Sequence, residues 1–294
     1  MKIKRTVGER IFDTANVVFM FIIGFIMFYP MWHVLVSSFC DNNLLMAHRG
    51  LLFLPLDANF ESYKMVFKNP MILTGYANTI FIVVVSLIIN IVLTALGAYF
   101  LSRKGVFWRD KVMFLIIVTM YFNGGLIPNY LLISKYLNMN DSYLALILPG
   151  AITTYNMIIM RTSFAAIPDS LEESAKLDGA NHFTILFQIV FPLSKAVIAV
   201  VILYYAVAHW NSWFTASIYI ITREKYPLQL ILREILINND TASMAQGVDV
   251  ADEHSIGETI KYAVIVVTTL PILCVYPFLQ KNFVKGVMIG SLKG

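Results

Sequence analysis

Six long apolar stretches, separated by polar segments, form the dominant pattern along the chain. Each approaches or exceeds the ~20 residues that an α-helix needs to cross the hydrocarbon core of a bilayer. The third stretch is interrupted by Asn123-Gly124-Gly125 and by Pro128. The pattern predicts an all-α polytopic membrane protein with six transmembrane helices, at Val17–Val36, Asn78–Leu101, Lys111–Leu132, Tyr143–Phe164, Ala196–Ile220 and Ile260–Phe278.

The composition excludes an ordinary soluble domain. Of the 294 residues, 58% are hydrophobic and 14% are charged, whereas charged residues make up about a quarter of soluble domains. The N-terminal apolar run is too long for a signal peptide and no small-residue cleavage site follows it, so we expect no cleavable leader. The two cysteines, Cys40 and Cys274, are far apart and indicate neither a disulfide framework nor a metal motif.

The distribution of charge predicts the orientation in the membrane. Because Lys and Arg accumulate on the cytoplasmic side, we predict both termini to be cytoplasmic, N-in and C-in. We divide the chain into a cytoplasmic N-terminal segment, 1–16, and a single transmembrane domain, 17–294, with an acidic external loop at 222–259. The positive charges that set this orientation are Lys2, Lys4, Arg5, Arg10, Arg103, Lys104, Arg109, Lys281, Lys285 and Lys293.

A polar, helix-patterned segment, Asp169–Leu193, lies between the fourth and fifth apolar stretches. The predicted topology places it in the cytoplasm, and it is longer than a simple connection would need to be. Its first residue brings a carboxylate to the positive end of a helix. We interpret the segment as a helical hairpin, whose apolar face would pack against the membrane domain or a partner, through Phe183, Leu186, Phe187 and Val190.

Local signals divide this hairpin into two helices. Ser170 followed three residues later by Glu173 predicts a capping box at the first helix. Gly179 fits a left-handed position just past the end of that helix. Asn181 can cap the next turn, and Pro192 is predicted to end the second helix before the fifth span.

The spacing within the hairpin resembles the "EAA" loop of importer-type ABC transporter permeases. That loop has Glu-Ala-Ala, three residues, Gly, nine residues and Ile-x-Leu-Pro; here Ser replaces the second-position Ala and Phe replaces the Leu. Three further segments, "RTSFAAIPDSLEESAKLDGA", "LSRKGVFWRDK" and "HWNSWFTASIY", resemble the carbohydrate-importing branch related to the maltose-type permeases. The C-terminal "FLQKNFVKGVMIGSLKG" is similar to a subgroup for complex oligosaccharide or polysaccharide uptake. The matching positions are Glu173-Ser174-Ala175, Gly179, Ile189 and Phe191-Pro192.

This resemblance implies that the loop 165–193 couples the chain to a cytoplasmic ATPase, with Glu173 and Gly179 as the most important positions. The chain lacks a G-x-x-x-x-G-K-[ST] phosphate loop, so it is expected to be no enzyme and to bind no cofactor, with ATP and Mg used by the partner ATPase. The alternative is an interfacial hairpin that is well capped but has no partner. The full set of expected coupling residues is Glu172, Glu173, Ser174, Ala175, Asp178, Gly179 and Ala180.

The partners implied by the resemblance belong to a multi-subunit importer in the bacterial cytoplasmic membrane. They are a second, homologous permease in a heterodimer, two ATPase subunits and an extracytoplasmic solute-binding protein, which the loop 222–259 would meet. A homodimer is the alternative assembly. The other expected contact is the lipid bilayer, and no nucleic acid is expected.

Polar and aromatic side chains inside apolar helices are candidates for the transport path, because polar groups that face lipid are costly. Trp and Tyr suit sugars, since they offer flat apolar faces and a hydrogen-bond donor, but they also serve as interfacial anchors or packing groups. His209 has no acidic or Cys partner at ligand spacing, so a packing or hydrogen-bonding role is favoured. The candidates are Tyr155 and Asn156 in the fourth span, and Tyr204, Tyr205, His209, Trp210, Asn211 and Trp213 in the fifth.

Three other functions compete with a carbohydrate ABC permease. An ion-driven secondary transporter usually shows internal repeats and ionisable residues at the bilayer midplane, and the predicted span centres hold almost none. A membrane enzyme is disfavoured because G-x-S-x-G, H-E-x-x-H and paired intramembrane carboxylates are all lacking. The third alternative, an ABC permease for a solute other than a sugar, is not excluded by the sequence.

Overall fold

The computed structural model describes residues 6–238, 258–274 and 277. Within these residues the regular structure is helical and contains no strand, which confirms the predicted all-α class. The centre of the predicted external loop, 239–257, lies outside the described residues, as do the C-terminal residues 278–294 and the end of the sixth predicted span. Contacts along the chain define two compact units, Met1–Pro70 with Glu234–Thr269, and Met71–Arg233 with Leu270–Gly294.

Two long helices and two short ones open the chain. The first long helix has a capping box, in which the Thr6 hydroxyl accepts from the Glu9 amide and the Glu9 carboxylate accepts from the Thr6 amide. It is followed by short helices that lie in the first predicted external loop. These four helices are α1 (Val7–Ser37), α2 (Asn42–Ala47), α3 (Glu61–Lys68) and α4 (Pro70–Ser102).

The remaining helices are shorter. Two of them continue as wider π-helical turns, at Leu132–Tyr136 and Ile185–Val190. A 3₁₀ turn lies at Arg223–Lys225. These helices are α5 (Arg109–Tyr121), α6 (Leu126–Leu131), α7 (Leu144–Ile147), α8 (Thr154–Ala165), α9 (Asp169–Leu177), α10 (His182–Thr184), α11 (Phe191–Leu193), α12 (Lys195–Trp210), α13 (Trp213–Tyr219), α14 (Leu228–Asn238) and α15 (258–274).

Helices α1 and α4 are each long and apolar enough to cross a membrane. The apolar side chains of α1 are mostly exposed, and Phe21 is 74% exposed. Exposed apolar surface on this scale is expected of a helix that faces lipid or another membrane helix, because water would solvate it poorly. Two bent pairs of helices are also long and apolar enough to cross a membrane if each pair counts as one span. They are α5 with α6, and the hairpin segment His182–Leu193 with α12.

Three of the six predicted spans are broken helices instead of continuous ones. The third bends by 110° between α5 and α6, where Gly125 has a left-handed φ of +85°. The fourth is interrupted between α7 and α8 at Pro149-Gly150, because proline supplies no amide hydrogen and glycine stabilises a helix poorly. The fifth is interrupted between α12 and α13, at Asn211 and Ser212.

The core of the second unit forms where α4, α8, α12 and the hairpin meet. Ala95, Ala98 and Phe164 are completely buried there. The approach of α4 to α8 is close, since a Cβ atom added at Gly97 would lie 3.1 Å from the Met157 sulfur. Small side chains on α4 therefore allow the backbones to pack closely, as in many membrane helix pairs.

A polar cluster around Asp141 joins the connection after α6 to the connection after α13. The Asp141 carboxylate accepts from the Ile221 amide at 3.0 Å, the Thr222 amide at 2.9 Å and the Lys225 ammonium at 2.7 Å. Hydrogen bonds from Lys225 and Thr222 hold the pKa of this carboxyl well below its ordinary value. Asp141 thus fixes the segment 221–225 while ionised.

We expect Asp141→Asn to loosen the segment 221–225. Asparagine tolerates the left-handed φ of +55° that Asp141 adopts, so the substitution removes the charge without adding backbone strain. Limited trypsin digestion should cleave after Arg223 and Lys225 several times faster in this variant than in the parent chain. Glu224→Gln, at an exposed neighbouring position, is the control, and equal cleavage of both variants would contradict the prediction.

Candidate functional site

The first hairpin helix, α9, begins at Asp169, and its N-cap is Pro168, which has no side-chain acceptor. The predicted capping box of Ser170 with Glu173 is therefore wrong. Pro168 is extended, with ψ at 132°, so the helix starts two residues earlier than a Ser170 cap predicts and Ser170 lies inside its first turn. The Asp169 carboxylate instead accepts from the Lys104 ammonium at 2.7 Å.

The turn after α9 matches the prediction. Gly179 has a φ of +82°, and an added Cβ would meet no atom within 4 Å, so backbone conformation and not crowding explains the glycine. The Ala180 amide donates to the Ala175 carbonyl at 2.9 Å, which closes the helix end. Asn181 caps the next helix by accepting from the Thr184 amide at 2.9 Å, which confirms its predicted role.

The second half of the hairpin packs into the core on one side only. Leu186 and Val190 are buried, whereas Phe183 and Phe187 are exposed, so half of the predicted apolar face is in contact with the second unit. The helix ends at Leu193, one residue after Pro192, and the chain then bends by 88° into α12. Proline supplies no amide hydrogen, which accounts for the irregular turn before it.

The predicted coupling residues divide into an inward-facing and an outward-facing set. Glu172 and Ala175 are buried, three residues apart on one face of α9. Ala180 is half-buried at the turn. The exposed set, which a partner could reach, consists of Glu173, Ser174, Asp178 and Gly179.

Glu172 is the centre of a polar network that sequence reasoning did not anticipate. Its carboxylate accepts from the Arg103 guanidinium through one oxygen and from the Lys176 ammonium at 3.0 Å through the other. The Tyr99 hydroxyl donates to the same carboxylate at 3.4 Å and lies 3.1 Å from Nδ1 of His182. The only sequence signal was Arg103 within "LSRKGVFWRDK", which gave no indication of its partner.

The ion pair determines the charge state of Glu172. Burial acts to raise the pKa of the Glu172 carboxyl, but hydrogen bonds from Lys176 and Arg103 outweigh it and the pKa lies below its ordinary value. Because the pKa is lower in the folded state, the ionised carboxylate contributes stability above the unfolded pKa of about 4.3. That contribution is lost as the pH falls through the lower folded value.

We therefore expect the melting temperature of Glu172→Gln to fall below that of the parent chain by several degrees at pH 7. The difference should begin to shrink as the pH falls below the unfolded pKa of about 4.3, and it should vanish below the lower folded pKa, where the parent carboxyl is protonated in both states. Thermal unfolding in detergent at a series of pH values measures this. Glu173→Gln, on the exposed face, should match the parent chain throughout, and a Glu172→Gln difference that is independent of pH would refute the assignment.

A cavity of about 650 Å³ lies between α9 and the segment that follows α4. Basic side chains line it, namely Arg103, Lys104 and Lys176. Acidic side chains line it as well, among them Asp169 and Glu173. Glu173 is exposed, so its carboxylate is accessible to another molecule. Within the described ranges there is no cluster of three or more His, Cys, Asp or Glu side chains that could hold a metal.

Several predicted path residues are buried and join helices α4, α8 and α12. Tyr205 is 2% exposed, and its hydroxyl contacts the Thr94 hydroxyl at 2.8 Å and accepts from the Thr153 amide at 3.0 Å. His209 lies 3.0 Å from the Asn90 amide nitrogen through Nε2, which is the hydrogen-bonding role that the sequence favoured. Asn156 and Trp210 are also buried.

The other path candidates are exposed or half-buried. Tyr155 is 57% exposed, and its ring is 6.1 Å from that of Tyr204 on the neighbouring helix. Asn211 is exposed at the break between α12 and α13. Trp213 is half-buried and carries the Arg233 guanidinium 4.3 Å above its ring.

Long apolar helices, broken spans and a polar hairpin are features of a helical membrane protein. The chain is 40% identical over 291 residues to polygalacturonan/rhamnogalacturonan transport system permease protein YtcP of Bacillus subtilis (strain 168), covering 97% of this chain and 99% of that protein. It is 27% identical over 286 residues to maltodextrin transport system permease protein MalD of Streptococcus pneumoniae (strain ATCC BAA-255 / R6), with 96% of each chain covered. The chain belongs to the permease family of ABC sugar importers.

Solved structures agree with this assignment. One is a chain of a bacterial ABC transporter involved in the import of the acidic polysaccharide alginate, with 31% identity, a TM-score of 0.87, and coverage of 96% of this chain and 100% of that chain. A second belongs to a bacterial alginate ABC transporter in complex with an alginate pentasaccharide-bound periplasmic protein. At 15% identity, with a TM-score of 0.57 and coverage of 92% and 93%, it shares the fold. No model of a known protein family matches the chain.

Proposed function

We propose that the chain is one permease subunit of an ATP-driven importer for oligo- or polysaccharides. It would form the path with a second, homologous permease and couple to cytoplasmic ATPases through the exposed Glu173–Gly179 face of the hairpin. The observation that carries the proposal is the division of α9 into a buried face, with Glu172 and Ala175, and an exposed face that a partner can reach.

A topology of six spans, with both termini in the bacterial cytoplasm, is part of the proposal. Lys104 after α4 contacts Asp169 of the hairpin, so the positively charged connection and the hairpin lie on one side of the membrane. Asp141 contacts Lys225, so the connections after α6 and α13 also share a side. Both pairings support the charge-based orientation, with the second pair on the external side.

In this proposal ATP hydrolysis takes place in other subunits. ATP and Mg would be bound by two ATPase subunits, and this chain would bind neither. Docking would use Glu173 and Gly179, with Ser174 and Asp178 beside them. ATP binding would close the two ATPases, carry the hairpins with them and rock the two permeases between inward-open and outward-open states.

The substrate class we infer is an oligosaccharide that contains uronic acids. The relative with 40% identity is a polygalacturonan/rhamnogalacturonan permease, and the structure with 31% identity belongs to an importer of an acidic polysaccharide. An extracytoplasmic solute-binding protein would deliver it to the external loop 222–259. Complex formation between an alginate transporter and its sugar-bound periplasmic protein is the precedent.

The exposed aromatic residues, Tyr155 and Tyr204, are the path-lining groups that we propose, because sugar rings pack on flat aromatic faces. Asn211 lies on an exposed surface and would contribute a polar contact. The buried candidates would form the wall that holds these groups in place, namely Asn156, Tyr205 and Trp210, with half-buried His209 and Trp213 at its edge.

Co-purification from the native membrane in mild detergent tests the proposed assembly. Mass spectrometry should find a second permease in a one-to-one ratio and two copies of an ATPase. ATP hydrolysis by the purified complex should then be stimulated by a binding protein loaded with oligogalacturonides. Recovery of this chain alone, active in ion-driven uptake, would overturn the proposal.

A further inference from the structure

One guanidinium contacts three separate parts of the second unit. Arg103, directly after α4, pairs with the Glu172 carboxylate of α9. Its Nη2 donates to the Phe164 carbonyl at the end of α8 at 2.8 Å. Its Cζ lies 4.9 Å from the centre of the Tyr99 ring. The ends of α4 and α8 and the coupling helix therefore meet at a single side chain.

The carboxylate on the other side of this pair is equally well held. Glu172 accepts from Lys176 of its own helix and from Tyr99 of α4. The side chains of the Arg103–Glu172 pair are largely buried, with 11% of each exposed. A buried ion pair whose remaining hydrogen-bonding groups are satisfied resists separation, because parting it would leave a charge without a partner.

Two neighbouring residues of α9 therefore differ in exposure. Glu172 points inward to Arg103, whereas Glu173 is exposed on the face that would dock to the ATPase. Helix α4 contains 33 residues, which corresponds to a length of about 50 Å. A displacement delivered to its end by α9 would therefore extend across the whole bilayer.

We propose that Arg103 and Glu172 are positioning residues that fix α9 to the end of α4, so that movement of the docked hairpin is transmitted to this helix as one rigid body. The inference rests on the proposed function. Beyond the residues that dock to the ATPase, it names the residues that transmit the motion. The nearby Lys104–Asp169 pair joins the same two elements, but its side chains are 80% and 55% exposed. Exposed pairs contribute little, so this pair supplies a matched control.

Pulsed electron paramagnetic resonance on the assembled importer tests the transmission. Spin labels would be placed at Phe100→Cys on α4 and Leu177→Cys on α9, which are both exposed, after Cys274→Ser removes the exposed native cysteine. Distances would be measured without nucleotide and after trapping with ATP and vanadate. With the native pair we expect one distance in both states.

Breaking the pair should separate the helices in the trapped state. Arg103→Gln and Glu172→Gln should each add a second, longer distance. The double variant should show no more of it than either single variant, because one interaction is lost in all three. Arg103→Lys keeps the charge but not the forked geometry, so it should show the longer distance in an intermediate fraction of molecules. This variant tests the inference if the glutamine variants fail to assemble.

The outcomes separate this inference from the proposed function. Lys104→Gln with Asp169→Asn should retain the single distance. A single distance in Arg103→Gln and Arg103→Lys, or an equal change in the exposed-pair control, would overturn the positioning role. Failure of any ATPase to co-purify with the native chain would instead overturn the proposed function itself.

Discussion

We expect Glu173→Lys to abolish ATP-driven uptake while the chain stays folded and inserted in the membrane. Glu173 is exposed on α9 and lines the open cavity, so reversing its charge alters the docking surface without disturbing the core. Loss of at least tenfold in uptake corresponds to more than about 1.4 kcal/mol of docking free energy. Uptake in membrane vesicles, the amount of ATPase that co-purifies and the melting temperature are the three measurements.

Gly179→Leu should give the same loss of uptake by a different route. The left-handed φ of +82° disfavours any side chain there by about 1 kcal/mol, although an added Cβ would meet open space. The turn would then shift and displace the docking face. Gln188→Lys, at an exposed position elsewhere in the hairpin, is the control. Normal uptake in both Glu173→Lys and Gly179→Leu would contradict the assignment of the hairpin as the ATPase-coupling element.

The hairpin shows which features were accessible from sequence. Gly179 and Asn181 were predicted correctly because a left-handed glycine and an N-terminal asparagine cap are determined by a few neighbouring residues. The capping box at Ser170 failed because the helix starts earlier, after the extended Pro168, so that Ser170 lies inside the first turn. Asp169 and Ser170 are both common at helix starts, so the local pattern alone did not determine where the helix begins.

The same limit explains why the Arg103–Glu172 pair was missed. The two residues are 69 positions apart, and each lies in a polar segment where a charged residue needs no special explanation. Hydropathy identified α1 and α4 because a continuous apolar run has only one helical interpretation in a bilayer. It could not predict the breaks at Pro149-Gly150 and Asn211, which lie in runs that stay apolar on average.

Sequence also could not determine which side of α12 faces inward. Tyr204 and Tyr205 are adjacent in a helix that is apolar all round, so no amphipathic pattern distinguishes them. In the structure Tyr205 is buried and hydrogen-bonded to the Thr94 hydroxyl, whereas Tyr204 is exposed beside Tyr155. The same ambiguity left Trp210 open between a path-lining role and a packing role.

We expect Trp210→Ala to destabilise the chain strongly instead of changing its affinity for solute. Trp210 is 8% exposed, and its ring lies 6.3 Å from that of Tyr76. Truncating a buried tryptophan costs about 3–5 kcal/mol in soluble proteins. The lower end of that range applies here, because lipid solvates apolar surface almost as well as the core does and the lost packing accounts for most of the cost. Thermal unfolding in detergent should show a fall of several degrees.

Tyr155→Ala is the matched aromatic truncation on the exposed surface. Its melting temperature should stay near that of the parent chain, since 57% of Tyr155 is already exposed. If this face lines the path, the concentration of oligogalacturonide needed for half-maximal uptake should rise severalfold, because a sugar ring loses its aromatic platform. If Trp210→Ala instead leaves the melting temperature unchanged and raises the oligogalacturonide concentration needed for half-maximal uptake, Trp210 lines the path. The packing assignment of the buried face of α12 would then be wrong.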